Sequence, residues 1–296
     1  MTVSNASSGG TREEFSGEVY QWIIYTTTAF FCLGGLVGNG KVIWILGLCT
    51  QRRYFLIYIL NLAIADFGTL LALLIRESSL PFYKLQDHTR YSLYSLFFFM
   101  HSASLYLLTA ISMERCLSVL FPLWYQRHRR GHASTYISFF LWAFAGLLSG
   151  GLLLCCLILS SGSYLIMVKI ICSVNLLIST PLMVASTLTL FMKIYCYSQG
   201  HQLPRVYSAI LVTLLCFIIF AMPLSAVHVV FVYSGHFSRP IVEISVLSVS
   251  FNSSINPLIY YYTGRVGNNW CKESLKGALQ RVFKDETDSR TSGSLV

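Results

Sequence analysis

The chain has 296 residues, of which 55% are hydrophobic and only 11% charged, and its formal net charge at pH 7 is +9. A soluble domain carries roughly 25% charged residues, so a water-soluble fold of this composition would expose much of its apolar surface. The composition therefore excludes a soluble enzyme, a DNA-binding module and a disordered regulator, and it indicates a protein that crosses the membrane several times.

Seven apolar blocks of about 20 residues, the length that crosses a lipid bilayer, follow one another along the chain. The predicted transmembrane spans are residues 20–48, 54–75, 92–121, 136–159, 165–195, 206–233 and 241–263. The predicted fold class is an all-α membrane protein, a seven-transmembrane helix bundle over residues 20–263. Prolines interrupt the last three spans at Pro181, Pro223 and Pro257, where each removes a backbone donor and kinks its helix.

The distribution of basic residues predicts which way the bundle faces. Cytoplasmic loops of membrane proteins carry an excess of Lys and Arg. With the N-terminus outside, 14 of the 21 basic residues lie on the inner side and 6 on the outer side, and Lys41 is left within the first span without an explanation. We therefore expect an extracellular N-terminus and a cytoplasmic C-terminus. The positive charge is attributed to topology and to contact with anionic lipids, not to nucleic acid.

The N-terminal residues 1–19 form a predicted extracellular tail. Its sequon Asn5-Ala6-Ser7 makes Asn5 a candidate for N-glycosylation, with chance occurrence as the alternative. The first fifteen residues are polar, which is not typical of a cleavable signal peptide, so the first span is expected to act as the targeting signal.

An amphipathic helix is predicted after the seventh span, over residues 264–284, with an apolar stripe opposed to basic side chains. Such a helix lies along the membrane surface. Cys271, on the apolar stripe, is a candidate for palmitoylation, with a free buried thiol as the alternative. Residues 285–296 are expected to be a disordered cytoplasmic tail.

Strongly polar side chains occur in the middle of several apolar spans, where they are costly and therefore candidates for function. They are Asn39, Asp66, Ser104, Asn252 and Asn256. A carboxylate at that depth needs a proton, a cation or several hydrogen-bond donors. Oxygen ligands of this kind suit a small cation, so a sodium ion at Asp66 and a purely structural hydrogen-bond network are both open, and the two do not exclude each other.

A set of motifs falls one per helix and in order along the chain. They are Asn39, Asn-Leu-Ala-x-x-Asp at 61–66, Glu-Arg-Cys at 114–116, Trp142, Pro181, Pro223 and Asn-Pro-Leu-Ile-Tyr at 256–260. Taken alone, Arg115 could be an ordinary cytoplasmic arginine. Together the motifs resemble those of rhodopsin-like G-protein-coupled receptors, over residues 20 to about 283.

Several departures from the common receptor pattern resemble one subfamily, the Mas-related receptors, near its H or D members. Arg90 stands where most receptors have a cysteine, Ala221 replaces a tryptophan before the proline of helix 6, and Thr189 replaces a tyrosine of helix 5. The loop after span 4 is short. The resemblance implies a disulfide between Cys156 and Cys172, with Cys155 as the alternative partner of Cys172.

The resemblance implies a plasma-membrane receptor, not an enzyme, that converts binding of an extracellular peptide or small amphiphile into activation of a heterotrimeric G protein of the Gq or Gi type. By analogy Glu114 holds Arg115 at rest, and Tyr260 moves toward Arg115 as helix 6 swings outward. The implied coupling residues are Glu114, Arg115, Cys116, Asn256, Pro257 and Tyr260. No cofactor is expected beyond an allosteric sodium ion at Asp66, Ser104, Asn252 and Asn256.

The candidate ligand-binding residues lie near the extracellular ends of the spans. They are Arg76, Glu77, Tyr94, Phe97, Phe98, His101, Lys169, His228 and Glu243. For the aromatic members, plain core packing is the alternative. Lys169, in place of an acidic residue found in some relatives, favours an acidic or zwitterionic ligand, unless it is an interfacial anchor. Glu77 and Glu243 could still accept an amine, so the charge of the ligand stays open.

Other classes of membrane protein fit the sequence less well. A transporter favours inverted repeats and broken helices, and a channel needs a filter-like loop. Within the receptor class, a constitutively active or ligandless receptor is the remaining alternative, and basal signalling would distinguish it.

Overall fold

The computed structural model describes residues 7–48, 54–79, 87–128, 132–158, 161–197, 205–216, 218–219, 226, 229–230, 233–234 and 239–265. The helices are α1 (Ser7–Gly47), α2 (Tyr54–Ser79), α3 (Asp87–Leu120), α4 (Pro122–His128), α5 (Ala133–Ile158), α6 (Ser161–Val174), a π turn (Asn175–Ser179), α7 (Thr180–Tyr197), α8 (Arg205–Cys216) and α9 (Arg239–Arg265). The predicted all-helical fold is confirmed over these residues.

Five helical segments within the described residues are long and apolar enough to cross a membrane. They are Val19–Gly47, Leu56–Ser78, Tyr91–Leu120, Ala133–Cys155 and Ile166–Lys193. They coincide with the first five predicted spans. α9 covers the seventh, and its 27 residues extend about 40 Å. The sixth span begins with α8, and most of the remainder lies outside the described residues.

The helices are longer than the apolar blocks on which the spans were predicted. α1 begins at Ser7, well before the predicted span, and α2 and α3 extend beyond their apolar blocks at Ser79 and Asp87. α4, which follows α3 after Phe121, was not predicted at all. Polar residues can continue a helix at these ends because its hydrogen bonds are made between backbone groups and do not depend on apolar side chains.

α3 is the central helix of the bundle. It packs against α2, α5 and α7, while α1 lies against α2 and α9. The core between them contains fully buried apolar side chains, among them Leu62, Leu107, Ile111, Met183 and Leu214. The outward faces carry large apolar side chains that are mostly exposed, such as Phe30, Trp44, Phe139 and Leu147. An apolar surface of this kind is stable in lipid and not in water.

Two glycines let α1 approach its neighbours closely. A Cβ atom on Gly35 would lie 2.6 Å from a Leu70 side-chain atom and 2.7 Å from the Ser254 side chain. A Cβ atom on Gly38 would lie 3.1 Å from Pro257. Small residues at such positions allow membrane helices to pack backbone to backbone, so α1, α2 and α9 form one tightly packed unit.

The prolines in the spans have different local effects. Pro181 is the second residue of α7, which begins where the π turn ends, and its missing amide hydrogen leaves one carbonyl of the preceding turn without its helical donor, which suits a locally widened turn. Pro257 lies inside α9, which is assigned as one helix to Arg265. Pro223 lies outside the described residues.

Candidate functional site

Three groups of polar side chains lie along the axis of the bundle. We call the end at which α1 begins, α2 ends and α9 begins the upper end, and the end at which α2 begins and α3 ends the lower end. One group lies between them around Asp66, one lies at the lower end around Arg115, and one lies at the upper end around Glu77.

The central group is a hydrogen-bond network that joins α2, α3 and α9 through Asp66, whose side chain is 0% exposed. The Ser104 hydroxyl donates to Asp66 Oδ1 at 2.6 Å, and the Asn256 amide donates to Asp66 Oδ2 at 2.7 Å. The Ser253 hydroxyl also donates to this carboxylate. Donors from two other helices therefore satisfy both oxygens of the buried acid.

The composition of this network differs from the predicted one at α9. Asn252 is buried, but the α9 contacts to Asp66 come from Ser253 and Asn256. Ser253 was missed because a serine in an apolar helix is unremarkable, whereas Asn252 and Asn256 stand out one turn apart. Asn39 joins through the backbone: its amide donates to the Ser253 carbonyl and to the Gly35 carbonyl, both at 3.0 Å.

A hydrogen bond between two further motif residues, Trp142 and Asn61, connects α5 to α2 near this network. The Trp142 indole donates to Asn61 Oδ1 at 2.9 Å, and the Asn61 amide donates to the Ile57 carbonyl at 2.7 Å. Tryptophan and asparagine from separate motifs are thus in direct contact. The bond links α5 to α2 about one turn and a half along α2 from Asp66.

The central group contains oxygen atoms of the kind that bind a small cation. Asn256 Oδ1 is buried and, among the described residues, has no hydrogen-bond partner. This atom belongs to the same amide that donates to Asp66. A carboxylate, a hydroxyl and an amide oxygen are hard ligands of the kind sodium prefers, so the residues present fit such an ion.

At the lower end, Arg115 is only 1% exposed, although a guanidinium is almost never fully buried unless it is paired. Its neighbour Glu114 accepts a hydrogen bond from the Tyr125 hydroxyl at 2.6 Å. Tyr125 belongs to α4, which sequence reasoning missed, because a tyrosine in a short loop segment carries no pattern. The role of Glu114 in holding Arg115 stays a prediction.

The other predicted coupling residues lie on α3 and α9. Cys116 is half-buried and hydrogen-bonded to Thr189 of α7, the residue that replaces a common tyrosine. Pro257 and Tyr260 of α9 are buried, and Tyr260 belongs to the central core. The predicted coupling motif therefore lies on buried faces of α3 and α9.

At the upper end, a cation–π contact joins α2 to α3 and a hydrogen bond joins α1 to α9. Arg76 Nη1 lies 3.0 Å from Glu77 Oε1, and the Arg76 guanidinium lies 5.9 Å from the centroid of the Tyr94 ring. The Tyr25 hydroxyl donates to Glu243 Oε1 at 3.1 Å. Four predicted ligand-binding residues therefore lie in this group, and Tyr25, which was not predicted, connects α1 to α9.

Lys169 is separate from that acidic group. Its ammonium lies 5.3 Å from the centroid of the Tyr233 ring, and the Tyr233 and Ser173 hydroxyls are hydrogen-bonded at 2.7 Å. A cation over a tyrosine face is stabilised by the ring, so this lysine has a protein partner. Sequence reasoning missed Tyr233 because it is 64 positions from Lys169 in the chain.

The aromatic candidates on α3 are part of the packing of the bundle. The Phe97 and His101 rings are stacked, with centroids 5.5 Å apart, and Phe97 also packs on the buried cluster around Leu70. Phe98 packs against the cluster of Leu152, Val168 and Ile171. The proposed alternative, core packing, thus describes these contacts, and His228 lies outside the described residues.

The predicted disulfide between Cys156 and Cys172 is not formed in the structure, because Cys172 carries a free thiol. The alternative partner, Cys155, is free as well. Cys172 instead packs against the cluster that contains Leu152 and Ile171, where a thiol behaves as a small hydrophobic group. The Cys156 side chain, Asn5 and Cys271 lie outside the described residues, so the predictions of glycosylation and palmitoylation stay predictions.

The chain is similar to a known family of receptors and to several of its members. Residues 38–260 match the model of the 7 transmembrane receptor (rhodopsin family). The chain is 33% identical to the Proto-oncogene Mas of Mus musculus over 97% of this chain and 89% of that protein. It is 36% identical to Mas-related G-protein coupled receptor member H of Rattus norvegicus, over 92% and 86%. It is 34% identical to member D of Macaca fascicularis, over 90% and 86%.

Proposed function

The chain belongs to the rhodopsin family of seven-transmembrane receptors, in its Mas-related group, and from this premise we propose that it converts the binding of an extracellular ligand into activation of a heterotrimeric G protein at the plasma membrane. Members of this family are receptors and not enzymes. The ligand is a peptide or a small amphiphile, and the G protein is of the Gq or Gi type, as the resemblance implies.

The observation that carries this proposal is the burial of Arg115 at the lower end, beside Glu114 and Tyr125. A buried guanidinium is costly outside a paired or hydrogen-bonded setting. Two packings of the helices can therefore compete, one that keeps Arg115 buried and one that exposes Arg115 to a partner protein. In the proposed mechanism, the exposed arginine contacts the Gα subunit, and Tyr260 of α9 moves toward it.

The orientation follows from charge. With the N-terminus outside, the predicted topology assigns 14 of the 21 basic residues to the inner side and 6 to the outer side, and basic residues mark the cytoplasmic side. The lower end with Arg115 therefore faces the cytoplasm, where G proteins are, and the upper end with Glu77 and Glu243 faces the extracellular ligand.

The central network connects the two ends, since it joins α2, α3 and α9. We propose that Asp66, Ser104 and Asn256 hold a sodium ion in the resting arrangement. A cation there would supply the positive charge that the buried carboxylate lacks, and it would favour the packing in which these oxygens converge. A ligand or G protein that prefers another packing would shift the population away from it.

The proposal is tested by measuring G-protein activation in cells that express the full chain. Arg115→Ala is expected to abolish activation, basal or ligand-induced, at unchanged surface expression, because it removes the group that contacts Gα. The matched control is Lys41→Ala, which removes an exposed positive charge from the outward face of α1 and is expected to leave signalling unchanged. Normal signalling by well-expressed Arg115→Ala would contradict the proposal.

The same assay distinguishes a ligand-dependent receptor from a constitutively active one. Cells are exposed to a panel of cationic peptides and to a panel of acidic or zwitterionic small molecules. A response above the basal level identifies a ligand-dependent receptor. High basal activation that no compound changes, and that Arg115→Ala removes, would identify a ligandless one.

A further inference from the structure

Two poorly solvated carboxylates lie at the upper end, one on α2 and one on α9. The Glu77 side chain and the residue Glu243 are each 8% exposed; Glu243 accepts a hydrogen bond from Tyr25 of α1, and the charge of Glu77 also acts on Tyr25 and on Glu243. Like charges in a poorly solvated place repel each other. The pair is therefore a place where a positive charge would be strongly stabilised.

Each of these carboxylates is only half satisfied by the protein. Oε1 of Glu77 is paired with Arg76, and Oε1 of Glu243 accepts the Tyr25 hydroxyl. Oε2 of Glu77 and Oε2 of Glu243 are both buried and have no hydrogen-bond partner within the part of the chain that the structure describes. A buried charged oxygen without a donor is costly, so these two atoms are open to a donor that the described residues do not supply.

Neither Arg76 nor Lys169, the basic side chains that the structure describes toward this end, supplies the missing donor. Arg76 is the guanidinium that interacts with the pair, and it is placed between Glu77 Oε1 and the Tyr94 ring. Lys169 lies over the Tyr233 ring. Among the described side chains of this group, two acids and one guanidinium therefore leave one net negative charge, which one monovalent cation would neutralise.

The pair is distinct from the central network. Glu77 follows Asp66 by eleven positions on α2, which corresponds to about 16 Å along the helix. The pair also lies at the end of the bundle that faces the ligand in the proposed orientation. An amine carried by an extracellular molecule can therefore reach it without entering the centre of the bundle.

We infer that Glu77, Glu243 and Tyr25 form a binding site for a protonated amine, through which the receptor holds the cationic end of its ligand. The inference rests on the proposed function, since it assigns one charged group of the ligand to the upper end. An ammonium group donates to Oε2 of both acids, and the Arg76 guanidinium keeps Glu77 in place. The ligand is therefore cationic or zwitterionic, and a purely acidic ligand is excluded.

The test uses the purified full-length receptor in detergent and benzylamine as the probe, with benzyl alcohol as a neutral molecule of nearly the same shape. The measured quantity is the rise in unfolding midpoint with probe concentration, at constant ionic strength. Benzylamine is expected to stabilise the receptor, whereas benzyl alcohol and an equal concentration of sodium chloride are not.

Substitutions then locate the site. Glu243→Gln keeps the shape of the side chain and its bond to Tyr25, and it is expected to weaken benzylamine binding at least tenfold, or about 1.4 kcal/mol. Asp87→Asn, at the first position of α3, removes the same charge elsewhere at the upper end and serves as the matched control, with unchanged binding. Tyr25→Phe leaves both carboxylates in place and is expected to retain binding within about threefold.

Glu77→Gln leaves the half-buried Arg76 without its carboxylate and is used only if it folds; Glu243→Gln and Tyr25→Phe carry the test without it. The inference is overturned if benzylamine gives no stabilisation, if Glu243→Gln retains it, or if benzyl alcohol or sodium stabilises equally. G-protein activation, both basal and in the presence of the two ligand panels, is measured in parallel. Activation without benzylamine binding would contradict the amine site alone. Benzylamine binding without any activation would contradict the proposed receptor function and leave the amine site standing.

Discussion

The central network and the upper end each contain buried acids, but the two regions satisfy them differently. Both oxygens of Asp66 accept hydrogen bonds from side chains of other helices. Glu77 and Glu243 each use one oxygen and leave the other, within the described residues, without a donor. The difference indicates that hydrogen bonds between helices already hold the carboxylate of Asp66, whereas the two acids of the upper end are open to a further donor.

The largest expected difference between the two regions is in the free energy of unfolding when one acid of each region is replaced by alanine. Asp66→Ala is expected to lower the free energy of unfolding by about 3 kcal/mol, since the donors of Ser104, Ser253 and Asn256 are left buried and unsatisfied. Glu243→Ala is expected to cost about 1 kcal/mol or less, because only the Tyr25 hydroxyl loses its acceptor. The measurement is the thermal unfolding midpoint of the purified receptor. Equal losses for both variants would remove the distinction.

A smaller loss of stability is expected from a substitution that disturbs the packing of α1 against α9. Gly35→Ala is expected to destabilise the receptor by about 2 kcal/mol, because the new Cβ would lie 2.7 Å from the Ser254 Cβ and 2.9 Å from its Cα, and the backbone of α9 cannot move aside cheaply. Gly34→Ala is the matched control, since its Cβ would have nothing within 4 Å. Comparable unfolding midpoints for the two variants would show that α1 is not packed tightly against α9.

The smallest expected effect belongs to the upper end. Tyr25→Phe removes one hydrogen bond, to Glu243, and is expected to change the free energy of unfolding by about 0.6 kcal/mol, the typical value for a side-chain bond between membrane helices. Chemical denaturation of the purified receptor resolves a difference of this size when repeated. A loss of several kcal/mol would mean that this end, like the centre, is a rigid part of the fold.

Much of the candidate site could be predicted because its residues are unusual in their surroundings. Asp66 and Ser104 lie in apolar spans where a polar side chain needs a reason, and the structure joins them directly. Ser253 and Tyr25 could not be predicted, because serine and tyrosine are common in such helices. Only the rotation of α9 and α1 about their axes decides which of their side chains reach an acid.

The exact position of a side chain is harder to predict than its helix. Asn252 and Asn256 were both expected beside Asp66; Asn256 donates to it, while the part of the buried Asn252 stays a prediction, because one position along a helix turns a side chain by about 100°. The Cys156–Cys172 bridge was carried over from relatives, and the structure shows Cys172 as a free thiol in an apolar cluster. Spacing along the chain limits where such residues lie, but it does not determine their distance.

The sequence by itself determined that the chain is a membrane-spanning helical receptor, because the length of an apolar block and the identity of a motif are local properties. It also determined the order of the helices and the polar residues at their centres. Only the tertiary structure decided that Tyr125 pairs with Glu114, that Tyr25 pairs with Glu243, and that two carboxylates at the upper end each keep one oxygen without a partner among the described residues. Hydrogen bonds require atoms of different helices to meet within about 3 Å, and that meeting depends on how every helix is rotated and packed against its neighbours.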